Sequence, residues 1–435
     1  MADPKPKPRK ARVPATRIER AGKVGALLAQ VAGNVAWSVA RGGSPGDLAN
    51  SANAERLANA LADLRGAAMK LGQMLSMQGE DLLPAPLGEI LATLRNRATY
   101  MPRGQVHGVL RRELGRDWRE RLSEFEDEPL AAASIGQVHA AVASDGRDLA
   151  LKLQYPRIER SIDGDVDGLV LILRTLRVLP PGLDLDELVP ELKRELHREA
   201  DYRREADNAE RYFKLIGESE DLFAPRVHRD LSTRRLLALD RVRGLPVEDL
   251  RSPAHPPERR DRLGGAILRL TFRELFEFRY VQTDANFANY LYDPARERIA
   301  LLDFGSVRRV TQPFMRSYAR LVRSSIEGSR EKLLECGREM GLLKGDEERE
   351  VLERFAGLCE AAAEPLSREG PYAFADSDLP LRARDLGLRA YESSSLPSFP
   401  PALLFIHRKL AGTYLLLQHI GARVDARAIF ESVAP

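Results

Sequence analysis

The 435-residue sequence predicts an α+β chain in which a small sheet-bearing lobe precedes a larger helical one. Three stretches carry that prediction. Residues 137–143 and 148–154 read as two strands on either side of Ser144-Asp145-Gly146, a strong tight-turn signal. Residues 186–216 read as one long charged helix. Beyond Gly244 and Pro246 helical patterns dominate, with one short strand near Ile299–Leu302.

The elements follow in order. Residues 1–20 are rich in Pro, Lys and Arg and read as a flexible tail. Leu57, Leu61, Leu64, Met69, Leu71 and Leu75 recur at roughly helical spacing. Pro84 and Pro86 interrupt that helix, a second spans 86–96, and Pro102 starts a third that leads to Arg112. On the returning strand of the hairpin, Lys152 stands between Leu151 and Leu153. Residues 234–242 form another strand, ended by Gly244 and Pro246. The expected segments are a disordered basic tail (1–22), a helical extension (23–117), a sheet-bearing lobe with inserted helices (118–243) and a helical lobe (244–435).

Composition narrows the class. Hydrophobic residues at 43% allow a sizeable core, and charged residues at 30% indicate a soluble chain. The net charge of +3 is unevenly placed: residues 1–20 carry seven bases against two acids. Such a tail is either simply solvated or drawn to an anionic membrane face. No aromatics interleave with the bases, which argues against nucleic acid as a partner. Cys336 and Cys359 are too few for a disulfide framework and spaced for neither zinc nor redox chemistry. No apolar run is long enough to span a bilayer; Arg408 and Lys409 break the nearest C-terminal candidate, Ala402–Ile420. The basic start lacks the apolar core of a secretory signal.

Residues 281–305, VQTDANFANYLYDPARERIALLDFG, carry the chemistry. Asp284 and Asn289 stand five apart in a polar loop, and Asp303 follows an apolar strand and precedes Phe304-Gly305. Phosphoryl transfer needs such a set: carboxylate and amide oxygens to hold Mg²⁺, and one carboxylate near the attacking group. Asp-x-x-x-x-Asn, a strand and Asp-Phe-Gly, in that order, match the catalytic loop and metal triplet of protein kinases. The alternative is that these acids merely cap turns.

Lys152 fits the kinase strand lysine that pairs with nucleotide phosphates and with a helix glutamate. The segment 198–205, READYRRE, offers Glu199 and Glu205. Six residues apart on one helix, they diverge by about 240°, so only one pairs directly, and Glu199 is the expected partner. Two features depart from an ordinary protein kinase. Ala131, Ala132, Ala133 and Ser134 stand where glycines should line the nucleotide loop, and Gln282 replaces the usual His two residues before Asp284.

These residues resemble the UbiB family of atypical kinases (ADCK or aarF-type), closest to its coenzyme-Q-biosynthesis branch. The resemblance rests on Lys70-Leu71-Gly72-Gln73, the family's KxGQ motif, on AAASIGQVHAA at 131–141 and LALKLQYP at 149–156, on EADYRREA at 199–206, and on FRYVQTDANFANYLYDP followed by LLDFG. It covers roughly residues 25–430. It implies a protein-kinase-like two-lobed fold with an N-terminal helical KxGQ extension. Lys70 and Gln73 would occlude the peptide site, facing a helix region that includes Glu199, Asp201 and Glu205. Ala131–Ser134 would take the nucleotide-loop role, and Leu239, Asp240, Arg241 and Val242 would form the hinge that reads adenine. Ala285 stands where that branch often has Pro.

Together these readings give an atypical kinase or ATPase that uses ATP and Mg²⁺ in ubiquinone or isoprenoid-lipid biosynthesis. Lys152 would orient phosphates, Asn289 and Asp303 would hold the metal, and Asp284 would act on the acceptor. A nucleotide-sensing, lipid-binding scaffold is the alternative. A small-molecule or lipid-like ligand, a peripheral contact with anionic membrane and proteins of a biosynthetic complex are the expected partners. The expected location is cytoplasmic or peripheral to an inner membrane, or the mitochondrial matrix side.

Overall fold

In the computed structural model, described over residues 9–10, 66–67, 70–71, 99–176, 185–284, 286–392 and 400–435, the chain divides into two compact units. The first comprises residues 1–207 and 226–241, the second 208–225 and 242–435. Apart from Arg9–Lys10, the tail lies outside the described residues, as do the helix over 86–96 and most of the helix over 57–75. Arg9–Lys10 pairs in parallel with Thr99–Tyr100.

The first unit is built on an antiparallel sheet of β1 (Leu122–Ala132), β2 (Gly136–Ala143), β3 (Asp148–Gln154) and β4 (Leu236–Asp240), in that spatial order. Gly146, at φ +88°, closes the β2–β3 turn in a conformation that glycine adopts without strain. Along β3, Leu149, Leu151 and Leu153 are fully buried while Lys152 lies on the other face, opposite Val138 and Leu237. Gly136 admits no side chain: a Cβ there would lie 2.3 Å from the Leu153 carbonyl oxygen.

Helix α1 (Arg103–Leu114) begins just after Pro102, as the sequence predicts. It buries Val106, Val109 and Leu110 in the same core as β3 and α2 (Ile158–Leu176). Ala67 and Leu71 join that core, so this part of the extension packs with the sheet.

The long helix predicted over 186–216 is two helices, α3 (Leu185–Glu199) and α4 (Tyr202–Ile216). The break has a local cause. The Tyr202 amide donates to the Arg234 carbonyl at 3.1 Å instead of continuing the helical ladder. The Gln154 side chain donates to the Ala200 carbonyl at 2.9 Å, and Asp201 accepts from the Arg203 amide at 3.1 Å like a helix cap. Tyr202 is fully buried and anchors the new helix.

The second unit contains the end of α4, then α5 (Pro257–Phe272), which continues into a π-turn, Arg273–Phe278. Four short strands follow: β5 (Tyr280–Gln282), β6 (Tyr290–Asp293), β7 (Arg298–Leu301) and β8 (Val307–Arg309). One short strand was expected here. The β5–β8 and β6–β7 pairs are three and four rungs long, too short to leave an alternating pattern in the sequence. Helices α6 (Gln312–Ile326), α7 (Pro401–Ile420) and α8 (Ala426–Val433) complete the parts needed below. No helix among the described residues is long and apolar enough to cross a membrane.

Candidate active site

In the first unit, β3 presents Lys152 to α4. Its ammonium lies 2.7 Å from the Glu205 carboxylate, with the two side chains 14% and 3% exposed. The ammonium also sits over the Tyr202 ring, 5.3 Å from its centroid. The expected partner, Glu199, is engaged elsewhere: it pairs with the buried Lys70 and accepts from the Ser134 hydroxyl at 3.2 Å. The correction follows from the helix break. The 240° argument assumed one helix, whereas Glu199 ends α3 and Glu205 stands in the first turn of α4.

The same contacts fix the alanine-rich loop. Ala131 and Ala132 end β1, and the Ala133 amide donates to the Gly136 carbonyl at 2.9 Å. Ser134 is tied to Glu199, and Ile135 is buried. The Cα of Gly66, one turn before Lys70, faces Ile135 and the Ser134 carbonyl, with 3.4 Å to each from a Cβ placed there. The Lys70 segment therefore packs directly on this loop. Gln73 lies outside the described residues. Asp201 is half-exposed and 4.0 Å from the Arg234 guanidinium.

The segment expected to form the hinge ends β4. Leu239 is buried and bridged to Val227, and the Asp240 amide donates to the Arg226 carbonyl at 3.0 Å. The Asp240 carboxylate receives His228 Nε2 at 2.7 Å, and His228 Nδ1 lies 2.8 Å from the Arg147 guanidinium. Arg147 also pairs with Asp230 at 2.7 Å, which holds that carboxyl below its ordinary value. Arg241 contacts Glu126 at 3.1 Å, and its amide donates to the Asp148 carbonyl. Val242 opens the next stretch of the second unit and is half-buried.

The second unit gathers Asp284, Asn289 and Asp303. Tyr290 pairs with Leu301 across the β6–β7 hairpin, and the Leu302 amide donates to the Asn289 carbonyl at 2.9 Å. Asn289 and Asp303 therefore flank the same end of that hairpin. The Asn289 amide nitrogen donates to the Asp284 carbonyl at 3.3 Å, which turns its side-chain oxygen away from that carbonyl. Asp303 Oδ1 accepts from the Gly305 amide at 2.9 Å. Phe304 is fully buried against Tyr212, ring centroids 5.0 Å apart, and its carbonyl accepts from the Asn208 side chain at 2.8 Å.

Gln282, in place of the kinase His, is buried and donates to the Asp303 carbonyl at 3.3 Å. Its other end faces Lys409 at 3.4 Å. Lys409 forms an ion pair with Glu274 at 2.8 Å, and both side chains are essentially inaccessible. Glu274 is carried inward by the π-turn and accepts from the Tyr212 hydroxyl at 2.8 Å. Burial pushes the Glu274 carboxyl up, and the Lys409 charge offsets part of that. Burial works against the Lys409 ammonium, but the Glu274 carboxylate and the Tyr290 hydroxyl together outweigh it and hold the ammonium above its ordinary value. Burial also raises Tyr212 and Tyr290, so both phenols stay neutral.

The neighbouring residue on α7, Arg408, donates to Asp284 Oδ1 at 3.4 Å. Arg408, Lys409, Glu274 and Gln282 thus form a support for the catalytic loop, and only Gln282 was singled out in the sequence motif. The available signal was two adjacent cations interrupting an otherwise apolar helix.

Residues 93–337 match the model of the ABC1 atypical kinase-like domain. The chain is 36% identical to "Atypical kinase coq-8, mitochondrial" of Caenorhabditis elegans, over 97% of this chain and 58% of that protein. It is 34% identical to "Atypical kinase COQ8B, mitochondrial" of Rattus norvegicus, over 97% of this chain and 81% of that one. The structure of an Rv3197–erythromycin complex from Mycobacterium tuberculosis is similar at a TM-score of 0.62 and 27% identity, covering 88% of this chain and 95% of that one.

Proposed function

The chain belongs to the ABC1 atypical kinase-like family, and on that premise we propose that it binds Mg–ATP and transfers or hydrolyses the terminal phosphoryl group. The observation that carries this reading is the pairing of Asn289 and Asp303 at one hairpin end, beside a catalytic-loop carboxylate.

The donor set suits Mg²⁺. Asn289 and Asp303 offer hard oxygens, and Mg²⁺ at nucleotide sites takes one or two protein carboxylates together with phosphate oxygens and water. When bound, the ion neutralises charge on the phosphates. Lys152, held by Glu205, orients phosphate oxygens. Gln282 fixes the backbone of Asp303. Asp284 orients the acceptor hydroxyl or water, and the Arg408 guanidinium aims its carboxylate.

A small acceptor fits better than a protein. The Lys70 segment packs on the nucleotide loop through Gly66, Ser134 and Glu199, which supports an occluded entrance. The names of the relatives favour a place in ubiquinone or a related lipid pathway at a membrane periphery, with lipid-like ligands and biosynthetic proteins as partners. Arg408 on Asp284 favours a second reading, a nucleotide-sensing scaffold, because a carboxylate engaged by a guanidinium is less available to an acceptor. Steady-state ATP hydrolysis separates the two readings. Asp284→Asn should lose turnover and biological function while retaining nucleotide affinity; full function in that variant contradicts a catalytic role.

A further inference from the structure

We propose that a cavity in the second unit, lined by none of the catalytic-loop residues, is a binding site for a small amphiphilic anion: an apolar body carrying a phosphate or carboxylate. The cavity, about 310 Å³, opens beside α5 and is closed by the chain around Leu222 and by residues Arg423–Ile429. That volume is at the small end of ligand cavities, enough for a head group and a short chain.

Its floor is apolar because α5 has almost no side chain there. Gly265 and Ala266 leave the helix surface bare, and a Cβ at Gly265 would sit 3.7 Å from Val424 and 3.9 Å from Ile429. Its rim is cationic. Arg262, Arg269 and Arg273 follow one another at seven and four residues, within about 40° on one helical face. Arg423 adds a fourth guanidinium from the opposite wall.

The lining carboxylates offset this charge only in part, three acids against four arginines. Asp221 is taken by Arg262, Asp261 accepts the Arg423 amide at 2.7 Å, and Asp425 caps the start of α8 at Ala428, 2.9 Å away. Arg273 is paired with Glu277 at 2.7 Å. Among the described residues, Arg269 bonds only the neutral Ser432 hydroxyl, at 3.1 Å, and no carboxylate meets the Arg423 guanidinium. Two arginines outside any direct ion pair, over an apolar floor, suit a ligand that is anionic at one end and apolar at the other. Lys152, Asp284, Asn289 and Asp303 do not line this cavity.

The test is calorimetric titration of the full chain with hexyl phosphate, inorganic phosphate and hexanol, beside sedimentation with phosphatidic acid and phosphatidylcholine vesicles. Hexyl phosphate should bind with 1:1 stoichiometry, at least about tenfold more tightly than inorganic phosphate or hexanol. Arg269→Gln/Arg423→Gln should weaken it at least about tenfold with unchanged circular dichroism, and Gly265→Leu should block it by filling the floor. Asp303→Asn should leave it unchanged. Vesicle binding that needs phosphatidic acid and is lost in the double arginine variant identifies a membrane lipid as the source; hexyl phosphate binding without it identifies a soluble one. Absence of saturable binding, equal affinity for inorganic phosphate, full affinity in the double arginine variant, or loss in Asp303→Asn would each overturn the proposal.

Discussion

The Lys152 ammonium lies 2.7 Å from the Glu205 carboxylate, and Glu205 belongs to a helix that starts after a break at Ala200 and Asp201. The break separates two acids with different tasks: Glu205 holds the strand lysine, and Glu199 holds Lys70. Glu205→Gln removes this carboxylate from beside a largely buried ammonium and should destabilise the chain by about 3 kcal/mol and remove most nucleotide affinity. Glu199→Gln should keep nucleotide affinity and loosen the Lys70 segment. Urea unfolding and nucleotide titration of both variants check this. Equal loss of affinity in the two would show that Glu199 also serves Lys152.

Arg408 sits 3.4 Å from Asp284 Oδ1. A guanidinium there aims the carboxylate. Arg408→Gln should lower the turnover number by about ten- to a hundredfold with little change in nucleotide affinity, the pattern of a contact that matters in the transition state. Lysine at that position should restore part of the rate. A variant that loses affinity and keeps turnover would place Arg408 in ground-state binding instead.

Lys409 and Glu274 form a fully buried pair behind Gln282. Lys409→Met strands the Glu274 charge and should cost about 3–5 kcal/mol, whereas Lys409→Met/Glu274→Leu should recover much of that. Chemical denaturation of the three proteins gives the coupling. If the single and double variants are equally unstable, the pair is not the reason for the loss.

Arg147 holds the Asp230 carboxyl below its ordinary value of 3.8. A carboxyl lowered in the folded state binds fewer protons than in the unfolded chain, so its contribution is present above that ordinary value. It is lost as pH falls through the lower folded value. With both side chains partly solvated, the contribution should be about 1 kcal/mol or less. Asp230→Asn should therefore flatten the acid limb of the stability curve below about pH 4 and change little at neutral pH. An unchanged acid limb would mean that Arg147 gives Asp230 no net support.

The candidate site was legible where it is local in the chain. Asp284, Asn289 and Asp303 are fixed by a loop, a strand and a triplet within 25 residues, and the hairpin before Lys152 is marked by its turn. The lysine's partner was not legible, because the α3–α4 break depends on Arg234 and Gln154, distant residues that take the backbone groups a continuous helix would use. Strand β1 was missed for another reason. It is an edge strand, exposed at Glu124, Glu126 and Glu128, with register shifts on either side of Pro129, so its pattern resembles an acidic loop. Arg408 and Lys409 showed only as an interruption of an apolar run, and their targets lie more than a hundred residues earlier.

Nucleotide-dependent thermal stabilisation, measured with and without Mg²⁺ for the parent and Asp303→Asn, tests the Mg–ATP assignment most directly. The parent should be stabilised by ATP in a Mg²⁺-dependent manner, by an amount that grows with ligand concentration. Asp303→Asn should lose the Mg²⁺-dependent part. No stabilisation of the parent, or the same Mg²⁺-dependent response in the variant, would contradict a metal–nucleotide site at Asn289 and Asp303.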